Sequence, residues 1–492
     1  MDRPPSVAES RDVESRDAEK GTETPKQNDS NVVGFDGDDD PTNPYNWPAW
    51  KTYTNSLLLI FVTFVTPLVS SICAPGVPQI MAEFGNTSSL MAGFVVSIYV
   101  LGFAFGPLLF APMSEVYGRL ITYHVCNVGF VAFIVACALA PSLGSLIAFR
   151  FISGLFGSCP IVNGGGSIAD MFPPEKRGVL IGLYSIGPLL GPVIGPIAGG
   201  FLSDAKGWRW LFWLMAIVSG FFSLVMLAFG RETYAPVLLQ RKAQRLVKST
   251  GNTQLRSKLD DGLTPAAHFT RAIERPLRLL FFSPIGFICA IYMAVVYGYL
   301  YLMFTSITEV FEETYHFSPN IVGLAFIGVG VGSLIGISVV GSTSDRRIKK
   351  RAERGEEIKP EDRITLVPLG GVLMPAGLFI YGWTAQYHIH WIVPEIGMAI
   401  TGAGNMMIFM SFALYLIETF QIHSASALAA NTFIRSIGGA LLPLAGLPMF
   451  ETLGIGWGNS LLAFIGIAFI PVPFILLRWG EHLRTKYAVK NL

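Results

Sequence analysis

Long apolar runs alternate with short polar segments from about residue 50 to residue 480. Each run holds about 20 residues, which is the length an α-helix needs to cross the hydrocarbon core of a bilayer. The pattern therefore predicts an all-α polytopic membrane protein with roughly twelve spans. These spans, numbered 1 to 12, lie near residues 54–75, 90–112, 120–140, 145–170, 178–202, 208–229, 280–304, 318–341, 364–384, 391–417, 425–449 and 457–478.

A hydrophilic stretch at residues 231–278 divides the spans six and six, and it carries several lysines and arginines. The N-terminal residues are polar, include the acidic run 36–40 and lack a core-forming pattern, so we expect them to be disordered. The predicted order is a disordered N-terminal tail, a six-helix bundle, a linker, a second six-helix bundle and a short C-terminal tail. These parts correspond to residues 1–50, 51–230, 231–278, 279–480 and 481–492.

Composition agrees with this class, since 51% of the residues are hydrophobic, 14% are charged and the mean hydropathy is +0.51. All five cysteines lie within apolar runs, without the spacing of a disulfide framework or of metal ligands. We therefore expect no bound metal and no cofactor. The net charge of +1 gives no basic face for nucleic acid. A monomer in the lipid bilayer is expected.

Lysine and arginine are concentrated in one set of alternate loops, with Lys206 as an exception. Because positively charged loops stay in the cytoplasm, both termini are predicted to be cytoplasmic. We expect a multi-pass protein of the plasma membrane, with the vacuolar membrane as a less favoured location. The sequon at Asn86 falls in the first outward loop and is a glycosylation candidate, whereas the sequon at Asn28 lies in the cytoplasmic tail. The basic residues of the cytoplasmic set include Arg119, Lys176, Arg177, residues 346–354, Arg484 and Lys486.

Span 5 contains glycines at every fourth position and three prolines. Glycines at this spacing share one helix face, where another backbone can approach closely. The prolines free backbone carbonyls, so packed neighbours or polar side chains must satisfy these carbonyls. We predict that the glycine face meets residues 436–439 of span 11 in the outward-closed state and seals the pathway against protons, and that the two parts separate when the cavity opens outward. The residues concerned are Gly187, Pro188, Gly191, Pro192, Gly195, Pro196, Gly199 and Gly200.

Residues 191–200 resemble the G-x-x-x-G-P-x-x-G-G signature in the fifth transmembrane helix of drug:proton antiporters of the major facilitator superfamily. The resemblance extends from about Asn43 to the end of the chain. It implies the major facilitator fold, with twelve helices in two six-helix bundles, and it implies antiport. The segments Trp208-Arg209-Trp210 and Arg231-Glu232-Thr233-Tyr234 are similar to those of fungal multidrug or toxin exporters.

The two halves also repeat each other weakly. Gly106 precedes Ser114 by the same interval at which Gly336 precedes Ser344, in each case between the second and third spans of a half. Such repeats are typical of two bundles that rock about a site at the membrane midplane.

The loop after span 2 matches the family motif G-x-x-x-D-R-x-G-R-R/K at Glu115, Gly118 and Arg119, while Val116 and Leu120 replace basic residues. We expect a latch that holds the inward end closed. A short turn with solvated charges is the alternative.

Charged side chains inside spans are costly and therefore indicate function. Arg150 in span 4 resembles the arginine of the R-x-x-Q-G-x-G motif, which implies a part in proton coupling; its alternative is an interaction with headgroups. Glu395 in span 10 is the best candidate for a protonatable carboxylate, although it could be interfacial. Arg435 in span 11 is predicted to be either an anion contact or a structural counter-charge.

Span 7 is rich in tyrosine, and at least one of its tyrosine faces should line a cavity because buried phenols need partners. The other tyrosines could form an interfacial aromatic belt. Asparagines within spans either line the cavity or bind neighbouring helices. Aromatic walls suit planar, apolar or cationic compounds. These candidates are Tyr292, Tyr297, Tyr299, Tyr301, Asn163, Asn405 and Asn431.

The leading interpretation is a proton-coupled antiporter that exports hydrophobic or cationic small molecules, such as drugs, antifungals or a fungal toxin, by alternating access. The alternative within the same fold is a proton-linked uptake transporter, such as a polyamine or nutrient permease. A membrane enzyme would cluster histidines, carboxylates or a nucleophile, whereas the histidines here are scattered. No Walker motif supports an ATP-driven pump.

Overall fold

The computed structural model describes residues 31–37, 39–173, 178–259, 262, 264–356, 359–420 and 423–487. The chain is almost entirely helical in this part. Its helices are α1 (Ala49–Ser71), α2 (Val77–Glu83), α3 (Ser89–Val116), α4 (Arg119–Ala138), α5 (Leu143–Met171), α6 (Gly178–Lys206), α7 (Arg209–Phe229), α8 (Ala235–Thr250), α9 (Pro265–Phe282), α10 (Pro284–Glu313), α11 (Pro319–Val322), α12 (Ile327–Glu353), α13 (Val367–Gln386), α14 (Ile392–Phe420), α15 (Ser424–Phe469) and α16 (Pro471–Lys486). Two short strands, β1 (Val32–Val33) and β2 (Arg256–Ser257), pair in parallel.

Ten helical stretches of the described part are long and apolar enough to cross a membrane, and α6 makes eleven when its bent segments are joined. The two segments of α6, Leu180–Pro188 and Leu190–Lys206, meet at 46°. Proline is the usual cause of such a bend because it removes a helical hydrogen bond. Pro188 and Pro192 lie at this point.

The last apolar stretch, Ser426–Lys486, holds two membrane spans. It has 61 residues, so a straight helix would measure about 90 Å, about three times the hydrocarbon thickness of a bilayer. Gly454 breaks the helix with φ 78° and ψ 163°. Adjacent residues of α10 contact both sides of the break, since Gly298 packs on Gly438 and the Tyr299 hydroxyl donates to the Leu462 carbonyl at 2.7 Å. The chain therefore folds back, and the twelve predicted spans are present.

Corresponding helices pack in the same way in the two halves. In the first half α1 packs on α6 and α3 packs on α5, while in the second half α10 packs on α15 and α12 packs on α14. Glycines allow the backbones to meet at these contacts, as at Gly154 against Tyr99 and at Gly402 against Val329. The weak sequence repeat thus corresponds to a structural repeat of two bundles.

Residues 31–37 and 39–50 differ from the disorder expected of the N-terminal tail. The strand β1 pairs with β2 of the linker, and Lys242 of α8 lies 2.6 Å from Asp36 and 3.6 Å from Asp40. The Thr42 side chain and two backbone N–H groups donate to Asp40, which lowers the pKa of its carboxyl below the usual range. The tail finds its partners in the linker, about 200 residues away, so its own composition did not reveal them.

The bundle has two opposite faces, which we call the linker face and the distal face. The linker face carries residues 231–259 and 264–282, and the distal face carries the loop at residues 84–88. Some sequence predictions lie outside the described residues. They concern residues 1–30 with the Asn28 sequon, the loop residues Lys176 and Arg177, and the tail residues 488–492.

Candidate functional site

A cavity of about 360 Å³ lies between the two halves. The first half contributes Pro67, Phe103, Pro107, Ser158, Ile161, Val162, Ile181, Tyr184, Ser185, Pro188 and Pro192. The second half contributes Val296, Tyr297, Leu300, Asn405, Met406, Phe409, Met410, Ala413, Leu414, Ile417, Leu428, Thr432 and Arg435. Cavities of this size, with apolar walls and a few polar groups, are typical of small-molecule sites. We call it the central cavity.

The central cavity occupies the half of the bundle nearer the linker face. Leu428 and Ile181 lie within the first turns of α15 and α6, which begin at that face. Arg435 follows the start of α15 by 11 residues, or about 16 Å at the rise of an α-helix. The cavity therefore extends from near the linker face to about the middle of the bundle.

Contacts between the halves close the distal side. A side chain at Gly93 of α3 would lie 3.0 Å from the Pro443 carbonyl oxygen of α15, so these helices touch directly. Gly323 meets the Pro196 carbonyl of α6 even more closely. Beyond this layer, two smaller cavities of about 240 and 320 Å³ lie at the distal face and share Glu309 and Glu313. The central cavity thus faces the linker side, with the halves packed together above it.

The glycine face of α6 packs on α1 and not on residues 436–439, so the predicted seam with span 11 is wrong. A side chain at Gly195 would lie 2.7 Å from the Leu68 carbonyl oxygen, and one at Gly191 would lie 2.9 Å from the Leu68 nitrogen. Gly187 and Gly199 meet Phe64 and Ile72. The equivalent glycine of α15, Gly438, packs on Ala294 of α10. Each glycine face therefore holds its own half together.

One carbonyl that the prolines of α6 leave free has the polar support that the sequence requires. Pro196 lacks an N–H and so leaves the carbonyl of Pro192 without its helical donor. The Ser71 hydroxyl donates to this carbonyl at 2.8 Å. Pro188 and Pro192 line the central cavity, and Pro196 lies at the distal closure. One helix therefore joins the cavity wall to the closed side.

Arg150 is completely buried in α5, outside the central cavity. Its Nη2 donates to the Ser70 carbonyl at 2.8 Å and to the Val96 carbonyl at 3.4 Å, and its guanidinium lies over Tyr99 and Phe212. Nε and Nη1 have no partner in the described part of the chain. A headgroup contact is therefore excluded, and the charge lies in a packed interior without a carboxylate.

Arg119 joins three helices at the linker face. Its Nε lies 3.4 Å from the Asp170 carboxylate of α5, and its Nη1 donates to Ser114 of α3 and, at 3.5 Å, to Asn163 of α5. Glu232 accepts from the Arg119 backbone N–H at 2.9 Å. Asn163 thus connects helices and does not line the cavity. Glu115 is exposed and lies outside this network. Every member of this network lies in the first half except Glu232, which follows α7, the last helix of that half.

The second half has a matching network that the sequence analysis missed. Arg363, just before α13, lies 2.6 Å from Glu418 at the end of α14, and its Nη1 donates to Ser344 at 2.9 Å. These residues correspond to Arg119, Asp170 and Ser114. The repeat of Ser114 at Ser344 was the available signal, but the motif itself is absent around Arg363.

The two other candidate charges have different surroundings. Glu395 is 8% exposed and accepts from the backbone N–H of Gly328 at 3.0 Å, so it stabilises the start of α12. Arg435 lines the central cavity, and its guanidinium lies 4.6 Å from the centroid of Tyr297 and 5.0 Å from that of Phe409. Of the candidate charges, only Arg435 reaches the cavity.

The tyrosines of α10 divide among three environments. Tyr297 lines the central cavity. The Tyr301 hydroxyl contacts the Ser70 hydroxyl of the first half at 3.0 Å. Tyr292 and Tyr299 are buried within the second half, Tyr292 against Phe412 and Phe469 and Tyr299 against α15. None of the four lies in an interfacial belt.

The other candidate asparagines also lie in different environments. Asn405 is 1% exposed and lines the cavity, and its Oδ1 lacks a partner among the described residues. Asn431 is buried away from the cavity wall. Asn86 is partly buried at the distal face, where its Oδ1 accepts from the Ser88 N–H at 2.8 Å. The cavity residues that sequence analysis missed, such as Phe103 and Met406, are apolar and carry no distinguishing signal.

Comparison with known proteins identifies the family. The family model described as Major Facilitator Superfamily matches residues 59–443 of the chain. The chain is 52% identical to the MFS-type transporter tndD of Aspergillus flavipes over 98% of this chain and 90% of that protein. It is 49% identical to the efflux pump radE of Floropilus chiversii over 94% of this chain and 86% of that protein. These relatives are transporters and not enzymes.

Solved structures agree on the fold. The partially occluded inward-open structure of the xylose transporter XylE from E. coli aligns with a TM-score of 0.63 at 17% identity, covering 86% of this chain and 97% of XylE. A bacterial homologue of the human lysosomal transporter Spinster, in an inward-facing conformation, aligns with a TM-score of 0.64 at 15% identity. The alignment covers 91% of this chain and 100% of the homologue. The chain therefore belongs to the major facilitator superfamily, as one of its fungal transporters.

Proposed function

We propose that the protein exports hydrophobic small molecules in exchange for protons. The observation that supports this proposal is the role of α6, whose Pro188 and Pro192 line the central cavity while Pro196 lies at the distal closure. Movement of this helix changes the cavity and the closure together. We further propose that the linker face is cytoplasmic, so that the cavity loads substrate from inside the cell.

Release on the other side requires the two halves to rock apart at the distal face. The networks around Arg119 and Arg363 each join helices within one half. We propose that they keep each half rigid during this movement. Glu115 is exposed when the linker side is open, and its proposed latch contact would form when that side closes.

Proton coupling is assigned to buried charges outside the cavity. A guanidinium keeps its proton in proteins, so Arg150 acts through its charge and its hydrogen bonds and does not carry the proton. Its contact with the Ser70 carbonyl links it to the residue that touches Tyr301 of the other half. Glu395 of α14, which accepts from the Gly328 N–H near the start of α12, is the proposed carboxylate that takes up the proton.

The cellular setting follows from the same proposal. We propose a monomer in the plasma membrane, with both termini cytoplasmic and Asn86 glycosylated on the outside. Export of a toxic compound requires this orientation and location.

The experiment uses energised plasma-membrane vesicles that contain the protein and Nile red, a neutral hydrophobic dye. A protonophore added while ATP is maintained should stop protein-dependent dye transport, because the proposed antiport is driven by the proton gradient. Vesicles without the protein provide the background. Transport that continues without a proton gradient would rule out the secondary antiporter.

A further inference from the structure

The described wall of the central cavity carries a single formal charge, and it is positive. Arg435 is the only ionisable acid or base other than tyrosine among the residues described at its wall. The nearest acidic position along the chain is Glu418, beside the wall residue Ile417, and this carboxylate is held by Arg363 at 2.6 Å. No carboxylate in the described wall therefore neutralises Arg435.

The hydrogen-bonding capacity of Arg435 is also unused. A guanidinium carries five N–H donors, yet no acceptor is found for Arg435 among the described residues, and its Nε is buried without a partner. Tyr297 and Phe409 lie against the guanidinium at 4.6 and 5.0 Å. Rings stabilise a cation through its face but accept none of its in-plane hydrogen bonds. Arg435 is partly buried, and leaving its buried Nε without an acceptor is costly unless a partner binds it.

The residues around Arg435 define the chemistry of a ligand that could pair with it. Asn405 adds a buried amide whose Oδ1 lacks a partner, while Met406 and Phe409 belong to an otherwise apolar wall. We infer that the central cavity binds amphipathic weak acids, compounds with an apolar body and a carboxylate or phenolate that pairs with Arg435. This inference rests on the proposed function, because it names the substrate class of the same cavity.

The inference reverses the cationic preference expected from aromatic walls alone. A cation in this cavity would approach Arg435 with no carboxylate available to it, whereas a carboxylate would form short charge-assisted hydrogen bonds, two of them if it is bidentate. Neutral compounds remain acceptable to the apolar wall.

Three probes that share one ring system test the inference: 2-naphthoate, 2-naphthamide and 2-naphthylmethylammonium. Their binding to the purified full-length protein in lipid nanodiscs is measured by calorimetry at pH 7. The wild-type protein should bind naphthoate about tenfold or more tightly than the ammonium probe. Arg435→Gln should weaken naphthoate binding about tenfold or more, the usual effect of losing a hydrogen bond to a charged group. Naphthamide binding should weaken much less, because the neutral amide forms no ion pair with Arg435 and can hydrogen-bond to glutamine.

Two further variants make the result specific. Arg435→Lys keeps the charge without the planar fork, so its naphthoate affinity should fall between those of the wild type and Arg435→Gln. Arg245→Gln removes one positive charge from an exposed position on α8 and should change nothing. Retained naphthamide binding establishes that a variant is folded.

Several results would overturn the inference. They are equal naphthoate binding by the wild type and Arg435→Gln, a wild-type preference for the ammonium probe, or no naphthoate binding at millimolar concentration. These measurements need no proton gradient. They are therefore separate from a failure of the proposed antiport, which would appear only in the vesicle experiment.

Discussion

The hydroxyl groups of Ser70 and Tyr301 lie 3.0 Å apart and join α1 of the first half to α10 of the second half. Both residues are fully buried. The backbone carbonyl of Ser70 also accepts from Arg150 Nη2 at 2.8 Å. One residue thus takes part in a contact within its own half and in a contact between halves, and opening of the distal side would break the second contact.

Tyr301→Phe should favour the state that is open at the distal face. The substitution removes one hydrogen bond between the halves, worth about 0.5–1.5 kcal/mol, and such an amount visibly shifts an equilibrium of a few kcal/mol. The measurement is the labelling of Ala92→Cys, in the wall of a distal cavity, by a thiol reagent. The five native cysteines are buried and should give little background.

Tyr292→Phe is the matched control for this measurement. Tyr292 lies on the same helix, and its hydroxyl has no partner in the described part of the chain. Its removal should leave labelling unchanged. Equal labelling rates in the two variants would show that the Ser70 contact does not restrain the halves.

Arg150→Ala should abolish proton-dependent transport while the protein still reaches the membrane and binds substrate. Two of the guanidinium nitrogens lack partners, so this charge contributes little net stability in the described surroundings. Arg150→Lys keeps the positive charge but lacks the planar donor geometry, so it should retain only partial transport. The measurements are vesicle transport, surface expression and probe binding. Loss of expressed protein in both variants would instead indicate a structural role.

The sequence predicted the fold because each span is recorded locally, as about 20 apolar residues between polar loops. It also identified Arg435, Tyr297 and Asn405, since polar side chains inside a span must face protein or a cavity. Apolar wall residues such as Phe409 could not be identified. A side chain that faces lipid and one that faces a cavity are equally apolar in a membrane protein.

The contact partner of a residue was harder to predict from the sequence than the position of that residue within a span. The glycines of α6 indicated that a backbone approaches closely, but glycine has no chemistry that specifies the partner, and Leu68 of α1 occupies the place assigned to span 11. The partners of charged residues at helix ends are equally hard to predict from the sequence. The pairing of Arg363 with Glu418 depends on how α13 packs against α14, which spacing along the chain does not determine.

Gly195→Leu should lower the stability of the protein and leave its conformational equilibrium unchanged. The added side chain would start 2.7 Å from the Leu68 carbonyl oxygen, within the same half, so both conformational states are strained alike. Overpacking of this kind costs about 1–3 kcal/mol. The melting temperature in detergent should fall. Gly182→Leu on the same helix is the control, because nothing lies within 4 Å of its added Cβ. Normal melting with increased distal labelling would contradict the assigned packing.

The pair Arg363–Glu418 should stabilise the second half through a direct interaction. The two side chains are 16% and 28% exposed and lie 2.6 Å apart, so water screens them less than a surface pair. A double-mutant cycle with Arg363→Ala and Glu418→Ala should give a coupling free energy of about 1–2 kcal/mol, above the range of exposed pairs. The exposed pair Glu274–Arg278 of α9, whose partners are four residues apart, should give only about 0.3–0.5 kcal/mol. The unfolding free energies of the single and double variants provide both values. If the two couplings are equal, Arg363 is a surface charge, and the proposal that matching networks keep each half rigid fails for the second half.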